Sequence, residues 1–72
     1  MKDVIQAKLG KQIKQLRIKS GLTQEQLASD ADIDYKYLQR IEGKNPPNVG
    51  IVLIAKMAKA LKTTPAKLLN FK

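Results

Sequence analysis

Residues 21–46 read GLTQEQLASDADIDYKYLQRIEGKNP, and the fold turns on the three alternating aspartates Asp30, Asp32 and Asp34 at its centre. Acids at that spacing open the calcium-loop pattern D-x-[DN]-x-[DN]-G-x5-E. Such a loop then needs glycine at its sixth place for a sharp turn and a bidentate glutamate at its twelfth. Tyr35 and Ile41 stand at those places, so the pattern fails mechanically and no metal site is expected. The other reading gives each aspartate its own part in a tight turn between two short helices. Asp34 accepts a hydrogen bond from a backbone N–H and caps the helix that follows. Asp32 takes a left-handed backbone, which Asp and Asn tolerate best after glycine. Asp30 ends the preceding helix in solvent. Thr23 and Gln26 form the capping box that starts that earlier helix.

Outward from this centre, helical spacing continues in both directions. Upstream, Ile5, Leu9, Ile13 and Leu16 step by four, four and three. The spacing predicts a first helix from about residue 4 to residue 19, opened by Asp3 with Gln6 and ended by Ser20 and Gly21. Gly10 inside it costs roughly 1 kcal/mol relative to alanine, which points to close packing there. The second helix carries Leu27 and Ala28, and the third runs from Tyr35 to Glu42. GKNPPN at 43–48 is a loop, because Pro46 and Pro47 cannot continue a helix. Asn48 caps a fourth helix at about 49–61, and Thr64 with Pro65 opens a fifth at 65–70. The expectation is an all-α, compact five-helix domain spanning 1–72.

The chain has 72 residues, enough for one domain with a marginal core. It carries 14 Lys and Arg against 6 Asp and Glu, a formal charge of +8 that attracts polyanions. No cysteine and no histidine are present, which removes disulfides, thiolate sites and the commonest general base and metal ligand. No apolar run approaches the roughly 18 residues of a membrane span, and the N-terminus lacks a secretory apolar region. A cytoplasmic location is expected. There is no phosphate loop and no nucleophile–base pair, so an enzyme is the weakest class. No cofactor is expected, and no small-molecule effector is evident.

The segment Gly21–Pro46 closely resembles the helix-turn-helix of the Cro/phage-repressor (Xre-type) DNA-binding family. With LGKQIKQLRIKS before it and LIAKMAKALKTTPAKLL after it, the likeness covers residues 9–69. It is carried by the T-Q-E-x-L-A opening, the Y-[LI]-x-R-I-E helix and a closing A-K-A-L before a capped last helix. Asp32 stands where the family usually has glycine, and the loop after Glu42 is one residue shorter than common. The resemblance implies that about 23–42 is the DNA-binding unit, its second helix bracing the DNA backbone and its third lying in the major groove. Phage-type repressors, restriction-modification controller proteins and autoregulatory regulators share this compact form.

The residues support that implication independently. At about 100° per residue, Leu38 and Ile41 fall on one side of the third helix, with Lys36, Gln39 and Arg40 opposite and Tyr35 at the N-terminal edge. Arg and Lys donate to guanine O6 and N7, and Gln pairs with adenine. The resemblance assigns base reading to Tyr35, Lys36 and Arg40, and exposure adds Gln39. The plain alternatives are a solvated Lys36, a packed Tyr35 and an Arg40 paired with Glu42 or Asp34. Thr23 and Gln24 start the second helix, where free N–H groups favour a phosphate. The family position of Gln24 also braces the start of the third helix. Lys44 and Asn45 lie in the loop near the DNA backbone. Tyr37 packs nearer the buried side, with its hydroxyl as a further phosphate candidate. Lys11, Lys14, Lys56, Lys59 and Lys62 read as solvated faces. The resemblance also implies a structural bridge between Arg17 and Glu42, whose breakage would cost about 3–5 kcal/mol if buried.

The fourth helix is apolar on too many sides for one small core. Ile51, Leu53, Leu69 and Phe71 are candidates for contact with a second copy. The resemblance favours a homodimer on an inverted-repeat operator of double-stranded DNA, with recognition helices about 34 Å apart. A tightly wrapped monomer is the alternative geometry. The alternative function is an antitoxin-like protein that binds a protein partner and autoregulates through the same domain.

Overall fold

In the computed structural model, which describes residues 4–70, three of the five helices start at the caps read from the sequence, Thr23, Asp34 and Thr64. The elements are α1 (Val4–Lys19), α2 (Gln24–Ala31), α3 (Tyr35–Ile41), α4 (Ile51–Ala60) and α5 (Pro65–Leu68). No strand occurs among the described residues. The Asp3 cap and the Phe71 contact lie outside them.

At the α2–α3 turn the three aspartates separate as the capping reading requires. Asp32 is left-handed, φ 55° and ψ 50°. Its bend lets the Ile33 N–H reach back to the Ala28 carbonyl at 2.9 Å, closing the end of α2. One residue pair later, the Asp34 carboxylate accepts from the Lys36 N–H at 2.8 Å and starts α3. Asp30 is exposed.

The core collects one face from every helix: Leu9 and Ile13, Leu27 and Ala31, Leu38 and Ile41, Ile54 and Met57, and Leu68. α2 packs on both α3 and α4, and α5 closes the core against α4 and α1. The α1 stripe holds from Leu9 onward, but Ile5 is 59% exposed and Leu16 only half-buried. The phase of the stripe is right; its first turn lies beyond the core that this chain assembles.

α1 and α3 come together at Gly10. A methyl group built there would fall well inside van der Waals contact with the Ile41 carbonyl oxygen. That atom belongs to a helix backbone and cannot swing aside. Gly10→Ala therefore sets a propensity gain of about 1 kcal/mol against a larger clash. The expected outcome is a net loss of about 1–3 kcal/mol in denaturant unfolding. A stabilised variant would mean that the helices do not meet there.

The start of α4 departs from expectation. The helix begins at Ile51 behind an N-cap Gly50 that makes no side-chain hydrogen bond, and Asn48 does not cap it. Asn48 is engaged elsewhere: its Oδ1 accepts from Gln6 Nε2, and its carbonyl accepts from the Tyr37 hydroxyl at 3.1 Å. It thereby ties the loop to α1 and α3 together. α5 ends at Leu68, two residues before the expected boundary.

Candidate nucleic-acid interface

α3 is seven residues long, about two turns. Leu38 and Ile41 are 0% exposed and anchor it. Tyr35, Lys36, Gln39 and Arg40 are all exposed, so the four expected base readers share the outer face. Among the described residues Arg17–Glu42 is the sole ion pair, so Arg40 pairs with neither Glu42 nor Asp34. Its guanidinium instead lies 5.9 Å from the centre of the Tyr37 ring. That contact steadies the side chain while leaving its donors free.

The Arg17–Glu42 pair sets where α3 sits. Arg17 Nε and Nη2 donate to Glu42 Oε2 and Oε1 at 2.8 and 3.0 Å, a bidentate fork. Nη1 donates to the Leu22 carbonyl at 2.8 Å. Gln24 Nε2 adds a third donor to Glu42 Oε1 at 3.1 Å. The side chains are 11% and 2% exposed. One carboxylate thus joins the ends of α1 and α3 to the start of α2. Gln24 braces the end of α3 through Glu42, not its start as expected. One amide hydrogen of Gln24 remains for a phosphate.

Thr23 and Gln26 complete the capping box in both directions, at 3.1 and 2.9 Å. The box satisfies the Thr23 and Gln26 N–H groups, so those of Gln24 and Glu25 are the ones left at the tip of α2. They point where a phosphate is favoured. Lys44 and Asn45 are exposed in the following loop. Tyr37 is half-buried, and its hydroxyl proton goes to Asn48. In this arrangement it holds the loop and has no proton to give a phosphate, which corrects its expected role.

Of the apolar dimer candidates, Ile51 is 70% exposed, Leu69 is exposed and Leu53 is half-buried. Val52, 65% exposed, escaped the sequence selection. A helical wheel would have found it, because it lies about 200° around α4 from buried Ile54. No sequence signal pointed to the Gln6–Asn48–Tyr37 tie, whose partners are far apart in the chain.

A family model described as helix-turn-helix matches residues 13–68, a span that includes Arg17, both central helices and Glu42. The chain belongs to the helix-turn-helix family. The matched span takes in the whole of α2 and α3, and α3 has an exposed outer face. The chain is 36% identical over 72 residues to control protein C.BamHI of Bacillus amyloliquefaciens, covering 99% of this chain and 88% of that protein. The crystal structure of the restriction-modification controller protein C.AhdI from Aeromonas hydrophila matches with a TM-score of 0.85 at 35% identity, over 92% of this chain and 98% of that one. C.Esp1396I bound to a 19 base pair DNA duplex matches with a TM-score of 0.83 at 29% identity, over 92% and 87%. The helix-turn-helix chain is accordingly a DNA-binding transcription regulator and not an enzyme.

Proposed function

We propose that this protein is a regulator of the restriction-modification controller type that binds an inverted-repeat operator as a homodimer. The observation that carries the reading is the face of α3, with Tyr35, Lys36, Gln39 and Arg40 outward and Leu38 and Ile41 in the core. These four read base edges in the major groove. The Gln24 and Glu25 N–H groups, with Thr23, Lys44 and Asn45, hold phosphates on either side and fix the register. The protein works in the cytoplasm, where DNA is reached without export.

One protomer is 33 Å in its longest dimension and carries one α3. A second half-site about 34 Å along the duplex therefore needs a second copy. The exposed Ile51 and Val52, with Leu53 and Leu69, form the surface that joins the copies. Binding selection from random duplex DNA at two salt concentrations tests the whole reading. The expected product is an inverted repeat with half-site centres about 10 base pairs apart, bound less tightly as salt rises. Ile51→Asp with Val52→Asp should yield a monomer that no longer prefers the repeat. Enrichment of no sequence, or a stoichiometric protein partner on this surface in place of a second copy, would overturn it.

A further inference from the structure

A groove beside the recognition helix holds three lysines, Lys8, Lys11 and Lys14, that the base-reading and half-site contacts leave unused. Lys8, Lys11 and Lys14 of α1 form one wall, and Glu42, Gly43 and Lys44 the other. All four lysines are exposed. Glu42, the groove's acid, already accepts from Arg17 and Gln24 and is 2% exposed at its side chain. The groove thus presents four ammonium groups with no free anion of its own.

We infer that this groove takes the phosphodiester backbone of duplex DNA flanking the operator half-site. The inference rests on the DNA-binding reading above and extends it from the half-site to its surroundings. Three features favour backbone over an acidic polypeptide. Lys44 lines the groove and also belongs to the loop placed beside the DNA strand, so the two surfaces are continuous. Lys8 to Lys14 spans about 9 Å of helix axis, against about 3.4 Å of duplex axis for each phosphate of one strand, so the row is long enough to meet more than one phosphate. Between the lysines stand Ala7 and Gly43, small residues that let a backbone strand come close to the ammonium groups.

The test compares two duplexes: one that ends at the last base pair of the selected repeat, and one extended by about ten base pairs, one helical turn, on each side. The native protein should bind the extended duplex at least about tenfold more tightly at low salt, with a steeper salt dependence. Lys8→Gln, Lys11→Gln and Lys14→Gln together should abolish that gain, lowering the salt slope by about 0.9 for each phosphate that is no longer neutralised. Affinity for the short duplex and base preference should stay as they were. The single Lys11→Gln should remove part of the gain, which keeps the test valid if the triple variant melts early. Equal loss on both duplexes overturns the inference, as does no loss on either. So does loss of poly-glutamate binding with the length gain intact. A native protein that binds neither duplex refutes the DNA-binding reading itself, a separate result.

Discussion

Glu42→Ala will lower the melting temperature by at least about 12 °C, the consequence of a loss of about 3 kcal/mol or more in a domain of this size. The substitution leaves Arg17, whose side chain is 11% exposed in the native fold, with only the Leu22 carbonyl to receive its guanidinium, and strips Gln24 of its acceptor. A buried, unmatched cation is far more costly than the net worth of the pair that held it. Total stability for 72 residues is of the order of 4–11 kcal/mol, so the variant loses a large share of it. Arg17→Ala should lose nearly as much, since it leaves Glu42 buried with Gln24 alone. Arg17→Met combined with Glu42→Leu should lose less than either single change, because no charge is then stranded. Thermal melting of the three variants and the native chain decides it. A single substitution costing under about 1 kcal/mol would place the pair among ordinary surface bridges.

The orientation of α3 follows from the same pair. Its outer face was legible from Leu38 and Ile41 alone, since two buried positions fix the rotation of a helix this short. The capping of α2, α3 and α5 was equally legible, because Thr23, Asp34 and Thr64 act on groups two or three residues away. Asp32 could be read as left-handed for the same local reason. What failed was non-local. Asn48 has the chemistry of a cap, but Gln6 and Tyr37 claim it across the fold, and α4 starts later without it. Ile5 fits the α1 stripe by period, yet burial depends on what other elements cover, which spacing does not encode. Gln24 was placed at the correct end of α2 but against the wrong end of α3, because its partner is a carboxylate already held by Arg17. Sequence thus resolved which face of α3 is exposed, while the contacts that hold that face at its angle needed the assembled chain.

Lys36→Ala and Arg40→Ala carry the largest expected effect on binding. Each removes a donor set from the outward face of α3 without touching the core, so melting should stay within about 0.5 kcal/mol of the native protein. On the selected operator each should cost about 1–3 kcal/mol per half-site. A homodimer carries each change twice, so the loss per operator approaches about 2–6 kcal/mol. On unrelated duplex the same variants lose only a positive charge, and the drop should be small. Specificity, the ratio between the two, is therefore what collapses. Lys44→Ala sets the contrast: a phosphate contact is blind to sequence, so operator and unrelated duplex should weaken by the same factor. Arg40 also rests against the Tyr37 ring, which Tyr37→Phe retains. That variant should keep base preference and instead loosen the loop, since it deletes only the bond to the Asn48 carbonyl. If Lys36→Ala and Arg40→Ala weakened every sequence alike, their side chains would be meeting phosphates, and the bases would be read by Tyr35 and Gln39 or by another element.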